Sequence, residues 1–176
     1  ARNTAIAKEA QEMLRQWEAG NKKVLALWKK MNKWALAGHN ATYKALGIQF
    51  DDTILESEIY KEGKEIVTRG LEKGVFEKLP DGRVIARLED VKLPDRTLLR
   101  ADGTTLYITQ DLHLARIKFE KWHVDISVYV VASEQDIHFQ QLFAILKKLG
   151  YKFANPEQLL HRSYGLVGLP EGRMKS

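Results

Sequence analysis

Tyr107 and Asp111 stand four residues apart in the stretch Leu106-Tyr-Ile-Thr-Gln-Asp-Leu112. In a helix that starts near Tyr107 both side chains leave the same face toward a common point, because residues i and i+4 are neighbours there. An aromatic ring beside a carboxylate suits a planar cation. Guanidinium pairs bidentately with a carboxylate and stacks on a ring, so the two residues could read an arginine side chain and discriminate it from lysine. The same residues could instead serve the fold, with Asp111 capping a helix and Tyr107 filling the core, since Asp is a common cap. Spacing alone leaves both readings open.

A second candidate cluster is Ser133, Glu134, Gln135 and His138, which follow the apolar run Ile126 to Ala132. That run has the character of a fully buried parallel strand, and Phe139 to Leu149 has the spacing of an amphipathic helix ending at Gly150. In open parallel sheets ligands bind beyond the carboxyl ends of the strands, which is where these four residues fall.

Other chemistries find little support. His39, His113, His123, His138 and His161 lack the close pairing of a helical zinc motif, and the chain has no Cys to complete a tetrahedral set or form a disulfide. No metal held by protein ligands is expected. There is no strand-turn-helix serine elbow and no glycine-rich phosphate loop of either common type, so a nucleotide site must use different contacts.

The elements that position these residues are marked by glycines and turn pairs. Ala5 to Ala19 and Asn21 to Leu46 carry apolar residues at helical spacing and stop at Gly20 and Gly47, which predicts a helical hairpin. Its tryptophans read as packing residues rather than base-stacking platforms. A second unit starts at Ile48 to Phe50, with a helix predicted over Glu58 to Lys73. Asp81-Gly82 joins Val75 to Leu79 and Arg83 to Leu88 as a β-hairpin. Asp102-Gly103 repeats the device between Thr97 to Arg100 and Thr104 to Ile108, leading into a helix over Gln110 to Trp122. The last segment alternates from His161 to Val167. The pattern is α/β, with three expected segments: 1–47, 48–100 and 101–176.

A chain of 176 residues with 44% hydrophobic content can bury one substantial core. No run of about 18 apolar residues occurs, so no transmembrane helix is expected, and the start of the chain lacks the pattern of a signal peptide. A cytoplasmic location is the expectation. The net charge of +5 favours an anionic partner and weakly suggests RNA.

Three segments in order resemble class I arginyl-tRNA synthetases. They are Arg100-Ala-Asp-Gly-Thr-Thr-Leu-Tyr-Ile-Thr-Gln-Asp111, then Val130-Val-Ala-Ser-Glu-Gln-Asp-Ile-His-Phe139, then Tyr164-Gly-Leu-Val167 with Leu169-Pro-Glu-Gly-Arg-Met-Lys-Ser176. The resemblance implies part of a Rossmann-like nucleotide-binding fold: 1–47 and 48–100 are its helical and β-hairpin insertion, and 101–176 is its second half, ending in the signature loop. It implies arginine contacts at Tyr107, Asp111 and Gln135. It further implies that His138 lies on the ATP side, that backbone near Val167 meets adenine, and that Met174, Lys175 and Ser176 meet phosphates, with Lys175 the catalytic cation. Where many members have Gly-Ala-Asp-Gln this chain has Ala132-Ser133-Glu134-Gln135, and Gln110 stands where many have a basic residue. The upstream half with its His-containing signature and the tRNA-binding domains are not among the 176 residues.

The implied reaction is activation of arginine by ATP and its transfer to tRNA. ATP is a substrate accompanied by Mg2+, and no membrane partner is implied. A different reading of the same basic, tryptophan-bearing chain is a non-catalytic RNA- or protein-binding fragment or paralogue. It predicts affinity that falls steeply with salt rather than a preference for arginine over lysine.

Overall fold

The computed structural model describes residues 4–165, 168–170 and 172–173. Val167, Met174, Lys175 and Ser176 lie outside the described residues. Packing divides the chain between Thr53 and Ile54 into two compact units.

The first unit is the expected helical hairpin. Helix α1 runs Thr4–Glu18 and α2 runs Lys22–Ala45. Gly20 adopts φ 79° between them, and the Asn21 side chain accepts from the N–H groups of Lys23 and Val24, satisfying two of the donors that a helix start leaves open. Trp17 and Trp28 meet edge to face at 5.6 Å, which is the packing role expected of them. Trp34 departs from that expectation, being 63% exposed. Ile48 to Phe50 form no strand. Phe50 instead folds back edge-on to Tyr43 at 4.9 Å, so these residues pack with the first unit.

The second unit has one apolar core shared by helices and strands. Helix α3, Glu56–Glu72, buries Ile59, Gly63, Ile66, Val67 and Gly70, one stripe at helical spacing. Strands β1 (Glu77–Lys78), β2 (Val84–Ala86) and β3 (Arg96–Leu99) form an antiparallel sheet in that order. Gly82 at φ 92° makes the predicted turn between the first two. Helix α4 spans Tyr107–Glu120 and α5 spans Asp136–Lys148. Both start about three residues earlier than periodicity suggested. The first turns mix polar residues such as Thr109, Gln110, Asp136 and His138 with apolar ones, which blurs the stripe there even though Ile108 joins the core.

Strand β4, Ser127–Ala132, pairs in parallel with β5, Leu159–Tyr164, from Ser127 against Leu159 to Ala132 against Tyr164. Two short strands, β6 (Gly168–Leu169) and β7 (Gly172–Arg173), pair antiparallel beyond it. The parallel pairing was expected of β4, but full burial was not found. Ser127, Tyr129 and Val131 turn inward, whereas Val128 and Val130 remain 47% and 68% exposed. A strand alternates its side chains, so only the face covered by helices loses water. The core itself joins Ile66, Val67, Leu98, Ile108, Leu112, Leu142, Ile145 and Leu146, each at most 2% exposed. It therefore welds α3, β3, α4 and α5 together directly beneath the candidate residues.

Candidate functional site

Tyr107 is the first residue of α4, and the helix start is held by a buried threonine. The Thr109 hydroxyl accepts from the Leu106 N–H at 3.2 Å and has the carbonyls of Leu106 and Leu98 within 2.6 and 3.0 Å. This ties the first turn of α4 to the end of β3. Gly63 of α3 makes the close approach possible, since a Cβ there would sit 2.7 Å from the Thr109 carbonyl oxygen. With the turn fixed, Tyr107 stands 73% exposed and Asp111 follows one turn later on the same face. Tyr107 therefore does not fill the core. Asp111, sitting past the first turn, does not cap the helix either.

Asp111 meets His138 across 27 positions of sequence. The His138 Nε2 lies 2.7 Å from Asp111 Oδ2, with the side chains 14% and 32% exposed. On the other side of the ring, Arg96 Nη2 lies 3.4 Å from Nδ1. A guanidinium can only donate, so Nδ1 accepts, and the proton of the neutral ring sits on Nε2 and is donated to Asp111. Phe139 adds an edge-on contact to the imidazole at 5.3 Å. The outcome is a partly exposed carboxylate with Oδ2 engaged and, among the described residues, no hydrogen bond to a side chain other than His138.

Arg96 is itself placed by two independent ties on the residues before it. The buried Gln141 side chain donates to the Pro94 carbonyl at 2.8 Å. Asp95 Oδ1 accepts from the Leu88 N–H at 3.0 Å, and Asp95 Oδ2 meets Arg87 at 2.6 Å. That backbone donor, and next the guanidinium, hold the Asp95 carboxyl below its ordinary range.

Below Asp111, two turns further along α4, Lys118 points its amine over the Tyr129 ring at 3.9 Å and toward Ser127 Oγ at 3.3 Å. Burial pushes the amine below its ordinary value, with the charge of Asp111 working in the opposite direction. Burial likewise pushes the Tyr129 hydroxyl up to about 12, with Ser127 partly opposing. Lys118 and Tyr129 thus lie against each other, both largely removed from water. Tyr129 also packs on Phe139 and Phe143 at 4.9 and 5.7 Å.

Gln135 ends the short turn Ser133–Gln135 between β4 and α5, one turn before His138 on the exposed side. The structure thus joins Asp111 directly to His138 and sets Gln135 at the head of the same helix. Among the described residues no hydrogen bond connects Tyr107 or Gln135 to that pair. His161, from β5, lies behind it, with Nδ1 3.4 Å from Asp136 and Nε2 3.3 Å from the Val131 carbonyl. Arg96 and Lys118 were not singled out from the sequence. Arg96 follows a Pro-Asp pair with no motif of its own, and Lys118 sits in a mixed helix where a lysine ordinarily reads as solvated.

The heads of two helices meet around a carboxylate beyond the carboxyl end of a parallel strand pair, which is where open α/β domains bind their ligands. The chain belongs to the family described as tRNA synthetases class I (R), catalytic domain, whose model matches residues 1–176, and its fold is of the Rossmann-like class. It is 51% identical over all 176 residues to the arginine–tRNA ligase of Parabacteroides distasonis, and covers 29% of that protein. It is 50% identical over 169 residues to that of Treponema denticola, covering 96% of this chain and 28% of the relative. A crystal structure of arginyl-tRNA synthetase from Plasmodium falciparum superposes with a TM-score of 0.75 at 18% identity, covering 94% of this chain and 30% of that one. The last comparison supports the fold. The chain spans less than a third of the length of the curated relatives it matches.

Proposed function

We propose that this chain is the arginine-binding part of the catalytic region of an arginine–tRNA ligase. The carrying observation is the Asp111 carboxylate, oriented by His138 through one oxygen and partly exposed, one helical turn from the exposed ring of Tyr107. That arrangement fits a guanidinium, which needs a carboxylate for paired donation and an aromatic face to stack on. Gln135 supplies a further polar contact from the head of α5. The 1–47 and 48–100 segments correspond to the insertion and 101–176 to the second half of the nucleotide fold.

In the parent enzyme the arginine carboxylate attacks the α-phosphate of ATP, forming arginyl-adenylate and releasing pyrophosphate. The adenylate then passes its arginyl group to the terminal ribose of tRNA and leaves as AMP. No protein nucleophile is needed, so catalysis rests on alignment and on neutralising charge that grows on the phosphates. Val167, Met174, Lys175 and Ser176 are assigned to ATP, with Lys175 as the catalytic cation. His138 has its part through Asp111 and on the side facing ATP. Mg2+ is assigned to the phosphates of ATP, because this cation keeps several of its waters and binds through substrate phosphates; among the described residues no group of three or more His, Asp or Glu side chains is placed to hold a metal. No helix among those residues is long and apolar enough to cross a membrane, and a cytoplasmic location is part of the proposal.

The test is Asp111→Asn in the complete parent enzyme, which keeps the shape and removes one charge. Losing a desolvated charge pair costs on the order of 2 to 4 kcal/mol. The KM for arginine in ATP–pyrophosphate exchange should therefore rise about thirty- to several hundredfold. An unchanged dependence on arginine would remove Asp111 from the substrate site.

A further inference from the structure

The charge of the chain is unevenly placed. Residues 1–53 hold nine Lys and Arg against five Asp and Glu, and so carry most of the net +5. Helix α2 concentrates it, with Lys22, Lys23, Lys29, Lys30, Lys33 and Lys44 and no acidic residue. At 3.6 residues per turn these six positions fall within an arc of about 120° along about 33 Å of helix. All six are exposed, and none enters an ion pair among the described residues, where Arg15, in contrast, is paired with Glu12. The opposite face carries Val24, Leu27, Trp28 and Met31, which line an apolar groove with Met13, Leu14 and Trp17 of α1. Packing within the unit therefore uses one side of α2 and leaves the lysine side exposed, where among the described residues only the Lys30 amine is engaged, 5.0 Å from the centre of the Trp34 ring.

A solvated helix face ordinarily mixes signs, because like charges at i and i+4 repel and opposite ones stabilise. Lys29 and Lys33 stand in that relation, and Lys22 and Lys23 crowd the positive end of the helix dipole, where cations are disfavoured. The helix thus carries repulsion that local packing does not relieve. A polyanion lying along the stripe would relieve it, since each phosphate neutralised releases a condensed counterion.

We propose that the lysine face of α2 is an RNA-binding surface that contacts the phosphate backbone. The choice of RNA among polyanions rests on the proposed function, but the surface does not depend on which amino acid the parent enzyme activates. It reads no bases, so it contributes affinity and orientation, and sequence preference must come from elsewhere.

The experiment measures binding of a fluorescently labelled arginine-accepting tRNA transcript, and of an unrelated tRNA of similar length, by the 176-residue chain between 50 and 200 mM salt. The triple variant K29Q/K30Q/K33Q is compared with K73Q/K78Q/K152Q, which removes the same charge from exposed lysines of the second unit. Circular dichroism melts check that both variants fold. Each phosphate contact adds about 0.7 to 0.9 to the slope of log K against log salt. The α2 variant should therefore lose about 2 to 3 from that slope, with both RNAs, while the control triple leaves it nearly unchanged. Equal losses in the two variants would show diffuse attraction and overturn the proposal. So would an α2 variant that binds as the parent chain does, or a chain that binds anionic phospholipid vesicles through α2 and not RNA. Failure of the arginine-site reading would appear separately, in the exchange assay with Asp111→Asn.

Discussion

His138 donates from Nε2 to Asp111 Oδ2 at 2.7 Å, joining the first turn of α5 to the second turn of α4. A hydrogen bond to a charged group contributes about 1.5 to 3 kcal/mol. In the complete parent enzyme His138→Ala should therefore raise the arginine KM in pyrophosphate exchange about ten- to hundredfold. His138→Gln, which keeps an N–H donor, should recover part of it. If both variants kept the parent KM, His138 would be only a packing residue beside Phe139.

Arg96 acts one step further out, by donating to His138 Nδ1 at 3.4 Å and so favouring the ring form that donates to Asp111. Arg96→Met should cost less than His138→Ala, about three- to tenfold in arginine KM, because the contact is long, 3.4 Å, and reaches Asp111 only through the ring, so its effect falls near the about 0.5 to 1.5 kcal/mol of an ordinary hydrogen bond. A larger loss than that of His138→Ala would mean that Arg96 touches substrate itself.

Gly63 lets α3 approach the head of α4, and a methyl group there would meet the Thr109 carbonyl at 2.7 Å. Backbone cannot rotate out of the way as a side chain can. Gly63→Ala should cost about 1 to 3 kcal/mol of stability as an overpacking change, seen as a lower urea midpoint. It should also weaken arginine binding in the parent enzyme, since Thr109 lies between Tyr107 and Asp111. Unchanged stability would show that the two helices slide apart freely.

Lys118 offers a pH test. Burial lowers its folded-state pKa, with Asp111 opposing, so between that lowered value and the ordinary value near 10.4 the unfolded chain holds this proton more tightly than the folded one. Stability contributed by this group must then rise with pH through that window and be flat below it. Denaturation midpoints measured from pH 7 to 10.5 should climb less steeply, or fall more steeply, in Lys118→Met than in the parent chain. Parallel curves would show that the amine is well solvated.

The isolated 176-residue chain should fold without catalysing arginine-dependent ATP–pyrophosphate exchange, because it spans only 29% of a relative such as the Parabacteroides distasonis ligase. A displacement of about 1 Å in a reacting group can cost a hundredfold in rate. Robust exchange that disappears in a Tyr107→Ala, Asp111→Ala double variant would show that the rest of the enzyme is dispensable.

The elements that were legible in the sequence are those set by local chemistry. Gly20, Asn21, Gly47, Asp81-Gly82 and Asp102-Gly103 punctuate the chain because a positive φ or a side-chain cap is satisfied within a few residues, whatever the rest of the molecule does. The candidates Tyr107, Asp111, Gln135 and His138 likewise stand out as residue types at helical spacing and at the end of an apolar strand. What tertiary structure alone decided is how they are joined. Nothing local links Arg96 to His138 across 42 positions, or His138 to Asp111 across 27. Nor does the pattern of Ile126 to Ala132 say that one face of β4 would stay open, because burial on the second face requires a layer that a run of apolar residues does not itself supply. Turn and cap residues meet their partners along the chain, so sequence order reveals them. A carboxylate's orientation and a buried lysine's charge depend on groups brought near by packing, which only the folded core determines.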